Sequence, residues 1–161
     1  MAAGDVVYGT RTALANISRL DGDTANLTTA FGEIDNTTTK ALDYLIYIEV
    51  PISSSATTGA YYFYLVVSQD GAAWTDHIDP AADIDYTDFL KDARQIRAVP
   101  TIYDNSPTGA RTSVAFHFNV LEIMPGYAVP PFIGLVCVDK SGQTIPSGSV
   151  GYYVPIKIAT S

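Results

Sequence analysis

A single cysteine, Cys137, lies in the apolar run Phe132 to Val138, which excludes an intrachain disulfide framework and reads as a small buried hydrophobe. Basic residues are also scarce, nine Lys and Arg against seventeen Asp and Glu, for a formal net charge of −8. Scattered cations cannot neutralise a track of phosphates, so neither nucleic acid nor an anionic membrane is expected as a partner. No apolar run approaches the ~20 residues a spanning helix needs. Met1-Ala2-Ala3-Gly4-Asp5 offers neither the basic segment nor the apolar stretch of a signal peptide. The expectation is a protein made in a cytoplasm and soluble there until it joins something.

Catalytic signatures are equally thin. His77 and His117 stand forty residues apart with no Cys or His at metal-ligand spacing, and there is no Gly-x-Ser-x-Gly elbow. No cofactor is expected. The segment from Asp70 to Asp92 holds seven of the seventeen carboxylates, and Asp83, Asp85 and Asp88 alternate as oxygen ligands for a hard cation would. A calcium loop of the helix-loop-helix kind requires a central Gly and a terminal Glu, and both are missing. The segment is read as a solvated or partner-facing acidic loop.

Charge is low overall, 16% of residues, and the apolar share is 47%. Ser and Thr must therefore supply much of the wet surface, and some apolar area is left for a partner subunit to cover. Five apolar, aromatic-rich runs stand out: 42–50, 61–69, 112–123, 132–139 and 150–158, punctuated by Gly, Pro, Asn, Asp and Ser. β-Branched and aromatic residues suit a pleated surface, and the punctuation suits turns. In the first run Leu42, Tyr44, Ile46, Ile48 and Val50 share one face, with Asp43, Leu45, Tyr47 and Glu49 on the other. From Tyr61 to Val67 both faces are apolar, so that strand must be covered on both sides, one of them by core and the other by a loop, the amino-terminal segment or a neighbouring subunit. Asp70-Gly71 predicts a hairpin turn with a short return strand at Trp74.

Further along, a short helix is expected around Tyr86 to Ala93, a strand from Ile96 to Tyr103, and a β-bulge near Val120, where the apolar parity slips from Phe118 to Leu121. Tyr152, Val154, Ile156 and Ile158 share one face of a final strand that pairs inside a sheet, so truncating it should be costly. The Asn-x-Ser/Thr triplets at Asn16, Asn26 and Asn36 are read as composition. A chain of 161 residues is long enough for one core. The expected fold is all-β: a single-domain antiparallel β-sandwich of the jelly-roll or Greek-key type, with at most one short helix. Residues 1–20 are the candidate flexible arm and residues 21–161 the sandwich.

Trp74 and the pairs Tyr61-Tyr62 and Tyr152-Tyr153 suit sugar stacking, although Trp74 is better read as a cap on the core beside a hairpin. Eleven tyrosines in one small domain suggest contact surface, because Tyr adds area and a hydrogen bond with little entropy to lose. Tyr62, Tyr64, Trp74, His117 and Tyr153 are the candidate partner-binding residues.

Several segments, taken in order, resemble the small β-rich virion proteins that decorate the heads of tailed bacteriophages. They are Ile34-Asp35-Asn36-Thr37-Thr38-Thr39-Lys40-Ala41-Leu42-Asp43-Tyr44, the aromatic strand ending Val67-Ser68-Gln69-Asp70-Gly71, Trp74-Thr75-Asp76, and Pro130-Pro131-Phe132-Ile133-Gly134-Leu135-Val136-Cys137-Val138-Asp139-Lys140-Ser141-Gly142. The likeness is one of layout and covers roughly residues 30–158. It implies a non-enzymatic cement or stabilising protein on the virion surface, binding the major capsid protein, often as a trimer. Alternatives are another virion position (tail, neck or baseplate) and a carbohydrate-binding β-sandwich module.

Overall fold

A computed structural model of the chain describes residues 5–23, 28–53, 59–81, 92–100, 113–126 and 128–159. The expected Tyr86 to Ala93 helix, the Asp83 to Asp88 run and the end of the 96–103 strand lie largely outside these residues. Nine strands are described. Sheet A contains β1 (Val6–Tyr8), β2 (Thr12–Ala13), β4 (Asp43–Pro51), β7 (Ser113–Asn119) and β9 (Val150–Ile158). Sheet B contains β3 (Thr28–Asp35), β5 (Ala60–Ser68), β6 (Arg94–Pro100) and β8 (Phe132–Asp139).

Sheet A runs in the order β1-β9-β4-β7, with β2 also on β9, and sheet B in the order β3-β8-β5-β6; every pairing is antiparallel. Beyond β2, successive strands alternate between the sheets except at β5 and β6. This is the double Greek key of a jelly roll, and the all-β sandwich expected from the sequence is the fold observed.

Alternation decides which side chains meet between the sheets. On β4, Tyr44, Ile46, Ile48 and Val50 are buried while their neighbours stay half-exposed. Leu42, expected on the same face, precedes the strand and is half-exposed. From β7 come Val114, Phe116 and Phe118, and from sheet B Phe31, Ile34, Tyr61, Phe63, Leu65, Ile133, Leu135 and Cys137. The Phe63 and Phe116 rings meet across the two sheets at 4.9 Å, a tilted contact within the favoured range for aromatic pairs. Cys137 is buried here, as its apolar run suggested, and burial holds its thiol well above the ordinary range.

Two expectations change. No bulge forms at Val120; the chain instead makes one helical turn, α2 (Val120–Ile123), and that turn shifts the apolar parity. Asp43 anchors it, accepting from the Asn119 side-chain amide at 2.9 Å and the Leu121 N–H at 3.1 Å. With α1 (Asn36–Thr39) there are two one-turn α-helices among the described residues, one more than expected. Asp35 caps α1 by accepting the Thr37 N–H at 2.7 Å.

Of the segment read as an arm, residues 5–20 are described and lie against the sandwich. β1 and β2 pair with β9, and Leu14 and Leu20 are buried in the core. Those two leucines anchor an otherwise polar stretch to the core.

Candidate functional site

The two outer faces of the sandwich are treated differently by the chain. On sheet B the outward side chains of β5 and β8 would form an apolar surface, and residues 69–81 fold back over it. Gly71, with φ +76°, allows the turn, and the Asp70 carboxylate fixes it by accepting the N–H groups of Ala72 and Ala73 at 2.9 and 2.8 Å and the Ser68 hydroxyl at 3.0 Å. The expected return strand shrinks to one bridge, Ser68 with Trp74. Beyond it the Thr75 hydroxyl takes over the role of a strand, donating to the Val67 carbonyl at 3.0 Å and accepting the Val67 N–H at 3.3 Å.

Trp74 and Ile78 are thereby buried against Ala30, Val66 and Val136, with Tyr64, Phe132 and Val138 at the margin. The Trp74 indole N–H donates to the Gly71 carbonyl at 3.1 Å. Pro80 closes the cover over Gly134, where an added Cβ would stand 2.0 Å from the proline Cγ. Arg19 holds the end of this segment, donating to the carbonyls of Pro80 and Ala81 at 3.0 and 2.9 Å. The outer side of β5 is thereby covered by the loop at Val66 and Ser68, while Tyr62 and Tyr64 on the same side stay half-exposed.

Sheet A has no such cover among the described residues. Its outer face is built in rows set by register: Val154 beside Leu45 and Asn119, Tyr152 beside Tyr47 and His117, Val150 beside Glu49 and Ala115. Two more rows, Ile156 with Tyr8 and Ile158 with Val6, extend the same face to the end of the sheet. Tyr47 and Tyr152 stack with ring centres 6.0 Å apart and planes 21° from parallel, and the Arg11 guanidinium lies over Tyr152 at 4.3 Å. The result is a ladder from Arg11 through Tyr152 to Tyr47, with His117 next in the row. These residues, with Leu45, Glu49, Val150 and Val154, line a shallow depression of about 580 Å³.

Polar groups on this face are largely paired within it. Glu49 accepts the Tyr47 hydroxyl at 2.7 Å and the Ser113 hydroxyl at 2.8 Å, and these hydrogen bonds hold its carboxyl below the ordinary range. The same bond holds the Tyr47 phenol above its ordinary range. Asp43 is engaged by α2. Elsewhere the described aspartates do similar work: Asp21 accepts the N–H groups of Gly148 and Ser149, and Asp76 those of Asp92 and Ala93. Among the described residues, no three His, Cys, Asp or Glu side chains converge as metal ligands would.

The five candidate partner residues are not brought together. Tyr62 and Tyr64 lie on the outer side of sheet B, where burial at the edge of the cover raises the Tyr64 phenol. Trp74 is the buried underside of that cover, so its ring face is not open to a sugar. Tyr153 points inward and meets Tyr44 edge-on at 5.7 Å. His117 alone faces outward on sheet A. Of its neighbours there, Tyr152 was noted from sequence only as half of a pair suited to sugar stacking, and Tyr47, Leu45 and Arg11 were not singled out; the one available signal for them was the apolar content of the polar parity of β4, Leu45 and Tyr47. No family model and no curated protein matches this chain.

Proposed function

We propose that the chain is a non-enzymatic structural protein of a bacteriophage virion, a decoration subunit that binds the outer surface of the head through the major capsid protein and stabilises it. The observation that carries this reading is the contrast between the faces: residues 69–81 fold over the apolar side of sheet B, while the apolar side of sheet A has no cover among the described residues. A jelly roll by itself hosts many functions. The resemblance in segment layout supplies the virion context, and described carboxylates committed to turns and strand ends suit a scaffold whose task is adhesion.

The test is co-sedimentation of the purified protein with heads that lack it, followed by heating. Saturable binding and a higher rupture temperature are expected. A protein that stays in the supernatant at every ratio ends this reading, and binding to tails or baseplates instead would move it to another position on the particle.

A further inference from the structure

We propose that residues 14–23 are a strap that locks the cover over sheet B, so that strap and cover open together as one unit while the two sheets stay closed. The seat of the strap lies between the sheets. The Leu14 N–H donates to the Gly151 carbonyl of sheet A at 3.0 Å, and the Ala15 carbonyl accepts the Gly32 N–H of sheet B at 2.7 Å. Both glycines make room for the Leu14 side chain: an added Cβ would stand 3.2 Å from it at Gly32 and 2.7 Å from it at Gly151. Leu14 and Leu20 are both buried. Farther along, the Asp21 carboxylate accepts the N–H groups of Gly148 and Ser149, and backbone bonds of 2.8 and 2.9 Å join Gly22 and Asp23 to Ile145.

Arg19 is the link to the cover. It belongs to the 3-10 turn Ile17–Leu20, whose last residue is sunk in the core, and its guanidinium donates to the carbonyls of Pro80 and Ala81 at 3.0 and 2.9 Å. The leucines of the strap belong to the larger core cluster between the sheets, whereas Trp74 and Ile78 belong to the smaller cluster on the outer side of sheet B. Arg19 therefore joins two elements that have no buried apolar residue in common. A guanidinium fork on two adjacent carbonyls is charge-assisted and loses little freedom on bonding.

The cover is held along its length by different means. Its near end is tied to β5 through Asp70 and Thr75, and its middle to Asp92 and Ala93 through the Asp76 carboxylate. Arg19 acts at the far end, where Pro80 closes over Gly134. When the strap leaves its seat, Arg19 leaves with it and the cover frays from Pro80 toward Ile78. Such local opening exposes the apolar side of sheet B at Ala30, Val66 and Val136 without unfolding the strands beneath.

The inference concerns the folded chain alone and is independent of the virion reading. Native-state hydrogen exchange of the full chain reads both elements. The Leu14, Gly32 and Ile145 amides report the strap, and the His77 and Ile78 amides, bonded to the carbonyls of Trp74 and Thr75, report the cover. Arg19→Ala should speed exchange at His77 and Ile78 about ten- to a hundredfold, the loss expected for hydrogen bonds from a charged donor, with the ladder amides of β4 and β8 unchanged. Arg19→Lys keeps the charge without the fork and should fall between. Asp21→Ala loosens the strap without emptying the core, so it should speed strap and cover amides alike; in the Arg19→Ala background it should move the strap amides alone. If Asp21→Ala leaves the strap amides where they were, Leu14→Ala repeats the comparison from the buried end of the strap. Cover amides that do not respond to Arg19→Ala overturn the proposal, as do strap amides that quicken without the cover, or effects of the two substitutions on the cover that simply multiply.

Discussion

Gly134→Ala tests the cover over sheet B. Gly134 sits on β8 in the middle of its sheet with an ordinary strand backbone, so alanine is not strained there and on chain entropy alone would add about 0.4–1 kcal/mol of stability. The new Cβ, however, would stand 2.0 Å from Pro80 Cγ and 3.0 Å from Val66 Cγ2, well inside the ~3.5–4 Å of a good carbon contact. Pro80 must retreat by more than an ångström while Arg19 holds its carbonyl. Overpacking of this kind costs about 1–3 kcal/mol, and if the cover lifts, Trp74 and Ile78 lose burial as well. A net loss of about 1–3 kcal/mol is expected. Removing the obstructing atom should restore it: Pro80→Ala in the Gly134→Ala background should recover at least about 1 kcal/mol relative to the sum of the single changes. Urea unfolding followed by far-UV circular dichroism gives the global stability. Fluorescence of Trp74, the only tryptophan, reports the cover itself. Additivity within about 0.5 kcal/mol, or a Gly134→Ala protein more stable than the parent, would refute the argument.

Other expectations follow from the same geometry. Asn36 is buried, accepts the Ala41 N–H at 2.7 Å and the Tyr44 hydroxyl at 2.8 Å, and Asn36→Ala should cost about 2–4 kcal/mol in urea unfolding by orphaning both donors. Trp74→Ala empties the smaller cluster and should cost about 3–5 kcal/mol by circular dichroism melting, with Trp74→Phe at less than half of that. Asp139 is buried with Oδ2 unpartnered; burial raises its carboxyl above 3.8 despite the hydrogen bonds from Ser141 and the nearby Lys140 charge. A raised carboxyl stabilises the fold fully below its unfolded value near pH 4 and loses that contribution as pH rises through the folded value. The stability advantage of the parent over Asp139→Asn should therefore be largest in acid and shrink toward neutrality. Asp70 has the opposite sign: N–H groups of Ala73 and Ala72 and the Ser68 hydroxyl lower it, so the advantage over Asp70→Asn should be present above about pH 4 and fade as pH falls below that.

The strand-rich character of the chain was legible because its two clearest strands carry unambiguous patterns. β4 alternates, so one face had to be core; β5 is apolar on both parities, so two covers were required. Asp70-Gly71 was legible as a turn from local chemistry alone. The nature of the second cover was not, because Pro80 meets Gly134 more than fifty residues away and nothing local to either marks the contact. Tyr152 and Tyr153 show why the site was misjudged. On β9 the even parity is uniformly apolar or aromatic while the odd one holds Gly151, Tyr153, Pro155 and Lys157, so alternation points to Tyr152 as the inward tyrosine, and it is Tyr153 that faces the core. The decision is made by Gly151, where Leu14 and Ile17 crowd close enough that an added Cβ would stand 2.7 and 2.6 Å away, fixing the odd-numbered residues inward. The amino-terminal segment was obscured for a related reason: two buried leucines are a weak signal among threonines, yet they are enough to dock it.

Strand order carries a consequence for how the chain acquires its shape. Both β8 and β9 lie in the interior of their sheets, β8 between β3 and β5, and β9 between the amino-terminal strands and β4. Until residues 132–158 have been synthesised, β3, β4 and β5 emerge with their mates missing and their backbone edges bare. Neither sheet can close during early translation; the late pair must slot in between strands made long before. Such distant pairing is slow to nucleate and leaves the nascent polypeptide prone to sticking to its own kind, so yield in the producing cell should depend on chaperone supply.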